Sequence, residues 1–160
     1  MINAIDNYTE QILNIPKSHQ ELMQVLRYKE TQQYDSHWDY FDEQLYKGTA
    51  QENTIRYGKN RAVTLYWYLS EVPADGGGYT FFPQSGKLPR PKSFKLVTID
   101  DCHKNGGLIV RPKKGNAIIF YNIKPNGKTD ALSLHGACPV VGKENVKWGA
   151  NKWVWTKAFR

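Results

Sequence analysis

The sequence predicts a mainly β domain, a sandwich or barrel of short strands preceded by one short helix. Three observations predict it. Eight short segments are rich in Val, Ile, Tyr, Phe, Trp and Thr and are bounded by Gly, Pro and Asn. Turn chemistry separates them: Pro73-Ala74-Asp75-Gly76-Gly77-Gly78 breaks the chain, and Pro125-Asn126-Gly127 turns it between two runs. Helical spacing of apolar residues occurs once, in Ile2, Ile5, Ile12, Leu13 and Ile15, and Pro16 stops it. Many strands with few helices exclude an alternating βαβ array.

In chain order the expected strands span Met23–Tyr28, Tyr34–Tyr40, Ala62–Leu69, Tyr79–Phe82, Leu108–Val110, Ala117–Ile123, Ser133–Val140 and Lys152–Thr156. Two long loops remain, 42–60 and 84–106, the second rich in Pro and Lys; loops of that length in a compact domain often act as lids or binding loops. No internal repeat and no low-complexity tract interrupts this order.

At 160 residues the chain is one domain's worth, residues 1–160 forming a single unit. A hydrophobic share of 40%, with 6 Phe, 5 Trp and 10 Tyr, excludes a disordered chain. The longest apolar runs, Leu65–Leu69 and Ala117–Tyr121, are far too short to span a bilayer. The N-terminus lacks the basic and apolar regions of a signal peptide. Charge is uneven: residues 1–80 carry 7 Lys/Arg against 11 Asp/Glu, and residues 81–160 carry 15 against 4. The basic residues are dispersed rather than clustered, so they read as a solvated face and nucleic acid is not the favoured partner.

Two cysteines, Cys102 and Cys138, make no disulfide framework. A bridge between them would close a long loop and contribute about 4 kcal/mol, in an oxidising compartment. A buried free thiol at Cys138 is the other reading. A zinc site from Cys102, His103, His135 and Cys138 matches no common spacing. His19 and His103 lie in polar stretches and read as solvated.

The chemistry starts at His37-Trp38-Asp39. In an extended run, positions i and i+2 face the same side, so an imidazole and a carboxylate can reach one metal ion. A further histidine would complete a set of two His and one carboxylate, which leaves open positions on non-haem Fe(II). The triplet alone says little. His135 gives it weight through its surroundings, Ser133-Leu134-His135-Gly136-Ala137-Cys138-Pro139-Val140, followed by Lys147-Trp148 and Lys152-Trp153.

These stretches, with Gly115–Tyr121, Lys124-Pro125-Asn126-Gly127, Gln24–Tyr28, Gln33-Tyr34, His37–Phe41, Arg61–Leu69 and Gly77–Pro83, resemble prolyl 4-hydroxylase catalytic domains in the same order. The likeness runs from about Ile12 to Trp155. It implies a double-stranded β-helix, or jelly-roll, that binds Fe(II) and 2-oxoglutarate, uses O2 and is kept active by ascorbate. By the resemblance His37, Asp39 and His135 are the iron ligands, and Lys147 pairs with the distal carboxylate of 2-oxoglutarate. Tyr28, Thr64 and Tyr68 match positions lining that co-substrate, and Tyr34 and Trp153 match aromatic positions near a peptide substrate. The implied reaction is 4-hydroxylation of peptidyl proline in a Pro-rich segment, with release of succinate and CO2.

Physical reasoning agrees with these roles. The carboxylate of 2-oxoglutarate far from the metal needs a cation, and a hydroxyl such as that of Tyr28 adds a donor. Thr64, Tyr66 and Tyr68 alternate with Val63, Leu65 and Trp67, so one polar-tipped face can look into a barrel. A different oxygenase substrate and a non-catalytic relic of the fold are the alternatives.

Two departures from the family stand out. The interval from His135 to Lys147 is two residues longer than usual, which makes Lys143 a competing cation. Family domains also carry several dozen residues before the matched segment, so a fragment, a trimmed paralogue or a chain completed by a partner all remain open. Family members often work in the endoplasmic reticulum; this sequence does not specify a compartment.

Overall fold

The computed structural model of the chain describes residues 2–85, 102 and 107–159. Its strands form two four-stranded antiparallel sheets. The first sheet places Gln24–Tyr28 (β1) beside Lys147–Trp155 (β8), then Arg61–Tyr68 (β3) and Ala117–Tyr121 (β6). The second places Tyr34–His37 (β2) beside His135–Ala137 (β7), then Thr80–Phe82 (β4) and Leu108–Val110 (β5). Apart from β4 and β5, which pair directly, successive strands thus cross between sheets, the jelly-roll that the resemblance implied. Among the described residues no helix is long and apolar enough to cross a membrane.

The strand alternation of β3 explains both faces of the first sheet. Val63 and Leu65 point outward and, with Val154 of β8, form a core cluster closed by Leu13 and Ile15. Those last two belong to, or follow, the N-terminal helix Ile2–Leu13 (α1), which the apolar spacing had indicated. The helix is fastened by Lys152, almost fully buried, whose Nζ donates to Asp6 Oδ1 at 2.6 Å and to the Glu21 carbonyl at 2.7 Å. The alternate residues of β3 point inward, in rows set by register: Tyr66 stands opposite Asn151 and Ile118, and Tyr68 opposite Gly149.

Several element limits differ from expectation. Strand β8 begins at Lys147 rather than Lys152, because pairing with both β1 and β3 carries the weak strand formers Gly149-Ala150-Asn151. Strand β7 is only His135–Ala137. Before it, Asp130 caps the Leu132 N–H and starts a short 3-10 turn; after it, Pro139 has no N–H to offer a ladder. Strand β2 stops at His37, and Asp39 lies in the bend beyond. The expected loop 42–60 carries a single helical turn, Glu52–Ile55 (α2), followed by a 3-10 turn at Arg56–Gly58. Of the expected loop 84–106 only Gln84, Ser85 and Cys102 fall among the described residues, and His103 lies outside them. Cys102 and Cys138 form a disulfide, packed with Tyr79 and Phe81.

Candidate active site

His37 ends β2 and His135 opens β7, and the antiparallel register sets them directly opposite each other. Their ring centroids are 4.4 Å apart. Asp39 Oδ1 lies 3.7 Å from His37 Nε2, and Asp39 Oδ2 lies 3.6 Å from His135 Nε2. One donor atom from each of the three falls within 4.8 Å of the others.

The back of each ring decides its front. His37 Nδ1 is 2.8 Å from the Asp35 carbonyl, and His135 Nδ1 is 2.9 Å from the Ser133 carbonyl. A carbonyl only accepts, so Nδ1 carries a proton and Nε2 is the nitrogen left facing Asp39. His135 is walled by Phe120 and Phe82, with ring centroids at 4.7 and 5.7 Å. Burial pulls its pKa down against the opposing pull of Asp39, which favours the neutral, ligating form. Asp39 is itself buried, and its Oδ2 accepts the Thr64 hydroxyl at 2.6 Å; Thr64 in turn accepts Asn122 Nδ2 at 2.9 Å. Two imidazoles and an oriented carboxylate form a donor set suited to a divalent transition metal.

Gly136 makes the histidine pairing possible. A Cβ there would lie 2.6 Å from the Phe81 ring and 2.7 Å from the Tyr34 carbonyl, so only glycine lets β7 sit between β2 and β4.

The three donors sit on the wall of a cavity of about 710 Å³ between the two sheets. Lys147 lies on the same cavity wall, 1% exposed. Its Nζ sits over the rings of Tyr28, Tyr66 and Tyr68 at 5.2, 5.4 and 6.0 Å. No carboxylate pairs with it among the described residues, and burial pulls its pKa down to about 7. Such a cation is a fixed point for an anionic ligand. Lys143, the competitor left by the sequence, is exposed in the turn before β8. Tyr28 stands opposite Lys147 in register, and burial pushes its hydroxyl up to about 12, so it remains a donor at neutral pH.

The other sequence candidates divide. Thr64 sits behind Asp39, and the Tyr68 hydroxyl donates to Thr80 Oγ1 at 2.8 Å; neither side chain lines the cavity, whereas Thr80 does. Tyr34 is half exposed at the rim, its ring 4.3 Å from that of His37. Trp153 lines the cavity, with the Arg61 guanidinium 3.7 Å from its ring centroid. Arg61 is held there by Glu21 through bonds of 2.6 and 3.1 Å. Arg61, Glu21, Thr80, Asn122 and Tyr66 were not picked out as site residues. Only Tyr66 carried a signal, its place in the alternation of β3.

Comparison with known proteins agrees with this geometry. The family described as the 2OG-Fe(II) oxygenase superfamily matches residues 23–155. Probable prolyl 4-hydroxylase 4 of Arabidopsis thaliana is 38% identical over 99% of this chain and 49% of its own length. Prolyl 4-hydroxylase 2 of the same plant is 37% identical over 99% of this chain and 49% of its own. The chain thus spans about half the length of these curated relatives. A solved viral collagen prolyl hydroxylase from Paramecium Bursaria Chlorella virus-1, in a 2OG complex, superposes with a TM-score of 0.66 at 28% identity, covering 98% of this chain and 73% of that one. The match from residue 23 to 155 takes in both histidines, the carboxylate and the buried lysine, and by it the chain belongs to the 2OG-Fe(II) oxygenase superfamily.

Proposed function

We propose that residues 1–160 act as one oxygenase domain that uses Fe(II), 2-oxoglutarate and O2 to hydroxylate peptidyl proline at C4. The observation that carries this reading is the pairing of the His37, Asp39 and His135 donor set with a buried Lys147, which has no carboxylate partner among the described residues, in one cavity. The proline assignment is supported by the names of the relatives, and a Pro-rich segment by the aromatic rim at Tyr34, because a polyproline helix docks on aromatic surfaces.

His37, Asp39 and His135 would hold the metal, with the Nδ1 bonds fixing both rings and Thr64 fixing the carboxylate. Lys147 would neutralise the distal carboxylate of 2-oxoglutarate, and Tyr28 would donate to it. Phe82 and Phe120 exclude water from the metal side. Bound iron and 2-oxoglutarate supply the oxidising chemistry, with succinate and CO2 as by-products and ascorbate as the maintaining reductant.

Anaerobic titration with Fe(II) and 2-oxoglutarate tests the reading through the visible charge-transfer band. The band is expected in the wild type and absent in His135→Ala. Folded wild-type protein without a band would overturn the assignment and favour a relic of the fold. Once the band is seen, hydroxylation of Pro-rich peptides, read as a mass gain of one oxygen, tests the substrate.

A further inference from the structure

We propose that Tyr66 is a further hydroxyl donor to the distal carboxylate of 2-oxoglutarate, seated beside Lys147 in space that Gly149 leaves open. The proposal rests on the oxygenase reading above and adds to it a residue of this chain's own.

Three hydroxyl-bearing side chains of β3 point inward, and two of them have partners. Thr64 donates to Asp39, and Tyr68 donates to Thr80. The third does not: the Tyr66 hydroxyl is buried and has no hydrogen-bond partner among the described residues. Tyr66 is 8% exposed, and its ring lines the cavity 5.4 Å from Lys147 Nζ. An unmatched buried hydroxyl is a net cost to the folded protein, of the kind kept where a ligand supplies the missing partner. Burial holds this phenol well above its usual pKa, so it is an O–H donor rather than an anion.

Gly149 shows that the hydroxyl's position is built. It lies on β8 two residues after Lys147, so both face the cavity. A Cβ at 149 would fall 2.0 Å from Tyr66 Oη and 2.3 Å from Cζ. Any other residue would collide with the phenol tip where it now sits. Glycine inside a strand weakens the strand, and here it clears the one place the phenol tip occupies.

The ligand chemistry follows from the neighbours. A cation and two phenols, Tyr28 and Tyr66, lie together on the wall of the cavity that the metal donors also line. A carboxylate accepts several hydrogen bonds at once, so Lys147 and Tyr28 do not saturate it.

The test is Tyr66→Phe, which keeps the ring and removes only the hydroxyl. Calorimetric titration with Mn(II) in place of iron compares 2-oxoglutarate with 2-oxopentanoate, which ends in a methyl where the distal carboxylate would be. The variant is expected to bind 2-oxoglutarate about tenfold more weakly, as loss of one charge-assisted bond predicts. Its affinity for Mn(II) and for millimolar 2-oxopentanoate should be unchanged, and the ligand-free variant should melt no lower than wild type. Unchanged 2-oxoglutarate affinity, or equal weakening for both acids, would overturn the proposal while leaving the oxygenase reading intact. Wild-type protein that binds no 2-oxoglutarate would overturn both.

Discussion

At the scale of single residues, the site is decided by what stands behind each ligand. His37 and His135 are both ordered by a backbone carbonyl two residues upstream, Asp35 within β2 and Ser133 in the 3-10 turn that precedes β7. Asp39 is different, because its orientation comes from Thr64 on the other sheet. Thr64→Val keeps the volume, removes the donor to Asp39 and leaves Asn122 without its acceptor. Metal affinity should fall about 10- to 100-fold in that variant, measured by competition with a chromophoric chelator. Lys147 makes a second prediction. Its pKa is about 7 in the fold against an ordinary 10.5, so between those values the unfolded chain holds a proton that the folded one has lost. Ligand-free stability from this group therefore rises with pH above about 7, and below that value the full burial cost remains. The melting temperature of wild type relative to Lys147→Met should climb from pH 7 to 9, and 2-oxoglutarate affinity should decline over the same range.

At the scale of elements, β8 organises the molecule. Its inward residues supply Lys147, the gap at Gly149 and Trp153, while outward Lys152 fastens α1. Lys152 is almost fully buried, so losing its ion-pair partner leaves a charge stranded in the fold. Asp6→Ala should cost about 3 kcal/mol in urea unfolding. The combined Asp6→Ala and Lys152→Met change should recover most of that loss, since no buried charge remains. Strand β7 is the opposite case, three residues long and held by Gly136 packing under Phe81.

At the scale of the whole molecule, the Cys102–Cys138 bridge ties the segment before β5 to the segment after β7, closing a separation of 36 residues. Cys138 is three residues from His135, so the bridge bears on the strand that carries a metal-site histidine. Reduction should lower stability by about 4 kcal/mol on loop-closure grounds, seen as a downward shift in the denaturant midpoint. The Cys102→Ala/Cys138→Ala protein should show the same midpoint with and without reductant.

The fold class was legible in the sequence because strand formers alternate and turn residues punctuate them, and both are local signals. The candidate metal donors were legible in part for the same reason: the spacing of His37-Trp38-Asp39 suggests a shared face, while His135 was added by the family resemblance of its surroundings. Element limits were not, since β8 extends over weak strand formers only because two neighbours pair with it. Thr64 and Tyr68 could be placed on an inward face, but their partners are Asp39, in the bend after β2, and Thr80, on the opposite sheet. Likewise the space that Gly149 leaves for the tip of Tyr66 shows only when β3 and β8 are paired. Local pattern determined which residues face inward, and only tertiary packing decided which of them meet, because a hydrogen bond between sheets, or a clash between neighbouring strands, depends on how segments far apart in the chain are placed.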